Sequence, residues 1–495
     1  MRPSAGTRAT RRHRGHDAAP AVNAPAPIAA VDTPDGEIEI VAPSATPTAE
    51  SPVPAPEASL TPPGARSTLP GGPKLVLAWV TGVLIVALVV FFAVYQIARD
   101  APVTTPTPTP SSPTTSEPSA PAISTAHLIT EDEAQTILAK AGWKIAATVP
   151  TVTPESPRIA CLVAQPDLPN PTLSSQRTLS TATTSKMAVL HQLDNFATDE
   201  DAKAVFAARR ANLGLCDDVP TWIAGATAVS GLGDEAMSVT IAYQDPVVRY
   251  HTVLLVRVGT VVNSFDLANE GTAAAAAPLA QAAGKVTARQ CSIAQGACPK
   301  DIKAVAAVPS SAGKAGWLVT SDIPRITPGQ GLWSETDPAQ IGSSGTGCED
   351  LTLKAVPGIQ TGLQRTYLLL QDPTAPQNFG VDTILYTLPS EKTASELMNK
   401  LTTNIAKCGD RMATATISQA KDISGSGEKG QKVTGRQFIV SQKVGSTTQN
   451  YRVSVTATGN KVSYVLVNAT TTFNFEPNAW SQLSLRAAQR ASQAG

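Results

Sequence analysis

Aromatic side chains are scarce in this chain of 495 residues, with 6 Trp, 7 Tyr and 9 Phe. Cores made with so few large rings are modest, so folded parts of the chain need a further source of stability. Net charge is missing as well, because 39 basic and 39 acidic side chains cancel. That removes the electrostatic footprint of a nucleic-acid binder. No C-x-x-C pair occurs, and beyond Asp100 the histidines His127, His191 and His251 are scattered. A zinc-type ligand set is therefore not expected. The chain has neither a G-x-S-x-G elbow nor a P-loop. No cofactor, no metal and no enzyme activity are expected.

One long apolar run is present, Leu75 to Ala98, and it carries no charge. Its purely apolar part, about 20 residues at ~1.5 Å each, covers the ~30 Å hydrocarbon core of a bilayer. Trp79 and Tyr95 sit near its ends, as interfacial aromatics do. The run begins too late for a cleavable signal peptide, so an uncleaved anchor over 74–98 is expected. All six cysteines follow it, from Cys161 to Cys408. Thiols persist as disulfides in oxidising compartments, which puts the N-terminus inside the cell and the C-terminal part outside. Arg66 and Lys74 before the span add a weak positive-inside bias.

Residues 1–73 are rich in Pro and Ala, a composition that predicts a disordered cytoplasmic tail. Residues 99–123 form a Thr/Pro/Ser stalk, which as polyproline II at ~3.1 Å per residue extends up to about 70 Å. The rest contains an internal duplication. Cys161 answers Cys348, Arg177 within Gln176-Arg177-Thr178 answers Arg365 within Gln364-Arg365-Thr366, and Cys216 answers Cys408. Ser230-Gly231 then answers Ser424-Gly425, and Gly259 answers Gly459. The offset stays between 187 and 200, as for a duplicated domain with small loop insertions.

Each copy opens with a helical signal; in the first it is Thr130-Glu131-Asp132-Glu133 followed by Ile137, Leu138 and Ala141. Strands follow, then a helix capped by Thr198 or Ser390. The stripe Ala202, Val205, Phe206, Leu213 matches Ala394, Leu397, Met398, Ile405 without a gap. Strands pair next around tight turns at Gly259 and Gly459. Closing helices are predicted over Thr272–Arg289 and Trp480–Ala494. The fold class expected is α+β: two tandem domains, 124–298 and 316–495, joined by a linker over 299–315. Each is an antiparallel sheet with helices packed on one face, stapled by disulfides. The duplication selects the pairs Cys161–Cys216 and Cys348–Cys408, leaving Cys291–Cys298.

This succession of strands, a capped helix ending in cysteine, a strand hairpin and a final helix resembles the PknH-like extracellular sensor domain. That family stands behind single membrane spans in actinobacteria, on receptor-type kinases and on proteins without a kinase. The likeness covers Leu128–Arg289 and Leu318–Ala494. It implies a disulfide-stapled α+β fold with a cleft for a ligand. Two copies and a short Pro-rich tail depart from the kinase-bearing members, and phosphotransfer in cis is excluded.

Other candidate chemistry has plainer readings. Gly425 to Gly430 fits G-x-G-x-x-G, but a strand rather than a helix follows it, so a flexible loop is expected. Asp199, Glu200 and Asp201 compensate a helix dipole. Arg177 and Arg365 could grip an anionic envelope ligand with a bidentate fork, or pair with a carboxylate at the sheet edge. The expected function is a membrane-anchored extracytoplasmic sensor or ligand-binding protein whose partners are the bilayer, through one helix, and an unidentified envelope ligand or protein. An envelope scaffold, and a hydrolase built on His191 or His251 with a serine and an acid, are the alternatives.

Overall fold

The computed structural model describes residues 122–182, 186–217, 221–326 and 330–495. All lie in one unit that runs from Pro113 to Gly495. The tail, the 74–98 span and nearly all of the stalk lie outside the described residues. Among those described, no helix is long and apolar enough to cross a membrane.

The first half contains β1 (Trp143–Val149), β2 (Leu173–Thr181), β3 (Ala188–Asn195), β4 (Thr221–Ser230), β5 (Glu235–Tyr243), β6 (Arg249–Val258), β7 (Val261–Glu270) and β8 (Lys303–Ala307). Its helices are the single turn α1 (Glu131–Ala134), α2 (Asp199–Leu215) and α3 (Ala276–Gln290). The second half contains β9 (Leu332–Glu335), β10 (Thr361–Leu370), β11 (Gly380–Thr387), β12 (Ala415–Ser426), β13 (Lys432–Val444), β14 (Thr447–Thr458) and β15 (Lys461–Ala469). Its helices are α4 (Glu391–Ala406), the single turn α5 (Cys408–Arg411) and α6 (Pro477–Ala491).

Two antiparallel sheets result, ordered β1-β2-β3-β7-β6-β5-β4-β8 and β9-β10-β11-β15-β14-β13-β12. Apart from β8 the two orders are the same. The turns between β6 and β7 and between β14 and β15 each need only two residues, and Gly259 (φ +53°) and Gly459 (φ +50°) supply the left-handed position. Thr198 and Ser390 cap α2 and α4 as expected, and the matched stripes on both helices are buried.

The helices do not share one face, and here the expectation is corrected. Val253 and Leu255 pack with Val205 and Phe206 of α2, whereas Leu254 and Val256 pack with Leu279 and Val286 of α3. The second half repeats this, with Val453 and Val455 under α4 and Val465 and Val467 under α6. Each sheet is thus the middle of three layers. Both faces are covered, so Thr252–Val258 and Arg452–Thr458 are buried without a break. Polar residues inside those layers, such as Thr252, Asn263 and Ser463, mimic a wet face in the sequence although all are buried.

Two further expectations change. The opening helix of the first half is one turn long and passes into turns, after which Lys140 (φ +61°) and Gly142 (φ +66°) lead the chain into β1. The expected linker is partly strand, since Lys303–Ala307 pairs with β4 as β8. Cys161–Cys216, Cys291–Cys298 and Cys348–Cys408 stand at disulfide distance, with Cα separations of 4.9, 5.1 and 5.1 Å.

A charged seam fastens the halves. Asp322 is fully buried and accepts from Arg490 Nε at 2.7 Å and Arg486 Nη1 at 2.8 Å. Arg490 also donates to the carbonyls of Ser310 (2.7 Å), Pro309 (3.2 Å) and Gly214 (3.1 Å), the last in α2. Val319 sits in the apolar cluster of the first half. An apolar layer would be more stabilising than paired charges, but a pair with one partner removed is strongly destabilising.

Candidate functional site

Arg177 and Arg365 occupy the register expected of a duplication, but the structure turns both inward. Arg177 on β2 donates to the carbonyls of Ile129 (3.1 Å) and Thr125 (3.3 Å) and to Thr148 Oγ1 (3.1 Å). It ties down the chain that leads into α1. Arg365 on β10 is buried, 3.5 Å from Glu335 and 5.6 Å above the Trp317 ring. Lys314 shares the same Glu335. The two arginines are not brought together, and neither lines the cleft between the halves described below.

The histidines have separate settings. His191 is fully buried, stacked 4.1 Å from Phe265. Its Nδ1 accepts from Ile129 N (3.0 Å), so its proton is on Nε2 and is donated to Asn263 Oδ1 (2.9 Å). Burial is the main cause that holds its pKa at about 3, against 6.5 ordinarily. A neutral, doubly bonded ring of this kind is a core element. His251 on β6 pairs through Nδ1 with Asp266 Oδ1 (2.8 Å), and Asp266 Oδ2 accepts from Ala160 N (2.9 Å). Neither ring has a serine hydroxyl in hydrogen-bond reach among the described residues, so no Ser–His–acid contact forms at His191 or His251.

Under α2 the first half carries a closed polar network. Asp194, whose side chain is fully buried, accepts from Arg209 (2.6 Å), Gln192 (2.9 Å) and Ser174. Register places Tyr386, Ile384 and Tyr464 of the second half where Asp194, Gln192 and Ser264 stand in the first. Those three belong to an apolar core. The Asp194 carboxylate is satisfied from within the network.

The open site lies between the halves. A cleft of about 750 Å3 has β4, β5 and β8 as its floor, Phe206 and Arg210 of α2 on one side, and the Ser426–Gly430 turn of the second half on the other. The turn from β4 to β5, Gly231–Asp234, also lines it. In matching topology the β4–β5 and β12–β13 turns correspond, so the same turn of each half meets its counterpart's cleft wall. Small or apolar side chains dominate the floor, among them Ala226, Ala228, Met237 and Val305.

Both turns are held in place. Lys300 N donates to Gly231 O (2.8 Å), and a Cβ at Gly231 would lie 2.1 Å from Lys300 O. Asp234 accepts from the backbone N–H groups of Gly259 (2.6 Å) and Ala297 (3.1 Å). Across the cleft, Glu428 N donates to Ser492 Oγ (2.7 Å), and a Cβ at Gly427 would lie 2.5 Å from that oxygen. The glycine-rich turn expected to be flexible is therefore pinned to the end of α6.

Charge on the rim is uneven. Arg257, nearly buried, gathers Asp199, Asp234 (3.6 Å) and Glu235 (2.8 Å). Those carboxylates are therefore compensated. Arg210 and Lys429 are exposed and pair with no carboxylate among the described residues. The rim sets these two cations, and Glu428 with only Gln493 Nε2 on its carboxylate (3.3 Å), above an apolar floor. Sequence reasoning missed the site because its two turns lie far apart in the chain. The one signal was the match of Ser230-Gly231 with Ser424-Gly425. Comparison with family models, with curated proteins and with solved structures gives no match for this chain.

Proposed function

We propose that the chain is a single-pass, membrane-anchored extracytoplasmic sensor or ligand-binding protein. In this reading it is built from two tandem PknH-like domains that arose by duplication, and its ligand occupies the cleft between them. The common strand order of the two sheets supports the duplication. The observation that carries the binding reading is the cleft itself: about 750 Å3, walled by both halves, mostly apolar and with few charged groups. Small-molecule and peptide sites share that size and lining. A scaffold would bind through a broad apolar patch.

Native mass spectrometry of the full chain, extracted from membranes in detergent, tests the reading. A retained compound is expected in the wild type and lost from Ala228→Trp, which fills the cleft floor at an exposed position. A compound held equally by the variant would refute the cleft as its site. Cleavage by protease added to intact cells is expected to remove the part beyond residue 122, whereas protection there and cleavage only after lysis would refute the orientation.

A further inference from the structure

The sheets end in four edge strands, and one of them is left open. β1 has a bulge between Ile145 and Ala147, and β12 has one between Ser418 and Lys421 beside charged Lys421 and Asp422. β9 is only four residues long. Such devices prevent an edge from recruiting another strand. β8 has neither bulge nor proline, and its register with β4 runs unshifted from Ser230↔Lys303 to Ala226↔Ala307. After Lys303 it reads Ala-Val-Ala-Ala, with Val305 60% exposed. Small side chains leave its outer backbone groups accessible, and β8 borders the cleft. Arg210 stands at the same cleft as an exposed cation with no carboxylate partner among the described residues.

We infer that the cleft takes an extended peptide, which pairs with the outer edge of β8 as an added strand and sets a carboxylate against Arg210. The inference rests on the cleft reading above and names the ligand class. Five residues of strand at ~3.3 Å each give a pairing length of about 17 Å. Main-chain hydrogen bonds would supply affinity, and an apolar side chain opposite Val305 together with the acid at Arg210 would supply selectivity.

The test uses the full chain in detergent and a labelled peptide, acetyl-Thr-Glu-Thr-Val-Thr-amide, whose Glu and Val fall on one face of a strand, followed by fluorescence anisotropy. Saturable binding is expected. Only alternate residues of an added strand turn their N–H groups toward the edge. N-methylation of one alternating set should therefore weaken binding by about tenfold or more, and of the other set by much less. Arg210→Glu should weaken the peptide by about tenfold, and a peptide with Lys in place of its Glu should recover the loss. No saturation by about 1 mM, or equal effects of the two methylation sets, overturns strand pairing. If the peptide fails while a compound is still lost from Ala228→Trp, strand pairing is refuted and the cleft reading stands. If the peptide binds Ala228→Trp as well as the wild type, strand pairing at the cleft is refuted, and the cleft reading falls with it only if the retained compound is also held equally by that variant.

Discussion

Replacing Asp322 by Ala should weaken the protein more than any other single change at the seam. The carboxylate is fully buried and accepts from both Arg486 and Arg490 as well as from Val319 N (3.0 Å). Arg490 is fully buried and the Arg486 side chain is 9% exposed, so the substitution strands two guanidinium charges away from water. Breaking a buried pair in this way costs about 3–5 kcal/mol. Two stranded cations place the expectation near the upper figure. With a urea dependence of about 3 kcal/mol per M, the unfolding midpoint should fall by about 1.5 M. Fluorescence of the buried Trp317 and Trp480 reports the transition. The triple variant Asp322→Leu, Arg486→Met, Arg490→Met removes charge and counter-charge together and should recover most of the loss. A midpoint shift equivalent to less than about 1 kcal/mol for Asp322→Ala would refute the buried seam, because only a solvated pair is worth so little.

The same carboxylate fixes a pH signature. Burial pushes the Asp322 carboxyl up, but the charges of Arg490 and Arg486 outweigh burial and hold it below its ordinary value of 3.8. A carboxylate depressed in the fold contributes stability that is present above the unfolded value and lost as pH falls through the folded one. The difference between wild type and Asp322→Ala should therefore be constant at neutral pH and shrink only below pH 3.8.

Three other outcomes are expected. His191 takes up its proton near pH 3 in the fold and near 6.5 when unfolded, so the unfolded chain binds the extra proton between them. Stability should then drop by up to about 1.4 kcal/mol per unit as pH falls through that window; urea titrations of His191→Gln should show a flatter dependence, and an unchanged slope would count against the buried neutral ring. Removing the Cys161–Cys216 bridge, which closes a separation of 55 residues, should cost about 4 kcal/mol, and removing Cys291–Cys298, with a separation of 7, about 2 kcal/mol. Double Cys→Ser variants compared by denaturant midpoint check that order, and a larger loss for the short loop would contradict it. Gly214→Ala places a Cβ 2.3 Å from Ser310 O at the seam and should cost about 1–3 kcal/mol by urea unfolding, whereas a neutral result would mean that the two segments are not so close.

Local physics made part of this architecture legible in the sequence. The caps Thr198 and Ser390, the stripes behind them and the glycines of the two-residue turns are short-range signals, and each stands where expected. β12 escaped notice because Ala415–Ser426 is poor in the branched and aromatic residues that mark strands, and β4 because Ala224-Gly225-Ala226 interrupts its run of them. Pairing with neighbours overrides that weak propensity. The second helical layer was hidden by Asn263, Ser264 and Ser463, polar residues that are buried by tertiary contact. Arg177 and Arg365 stood out because they recur, yet each is held by different partners. The cleft depends on how one half docks on the other, and that depends on Arg490 reaching Gly214, a contact no local pattern announces.

The seam also dictates an order of events in biosynthesis. Arg490 follows Asp322 by 168 residues and Gly214 by 276. While the chain is still growing, the first half can complete its own layers, but the carbonyls of Gly214 and Ser310 must stay hydrated until the last helix emerges. Closure of the latch must consequently wait until α6 has emerged, and the cleft takes its full shape only then. A nascent chain interrupted before α6 would carry a finished first half and a Ser426–Gly430 wall with nothing to pin it.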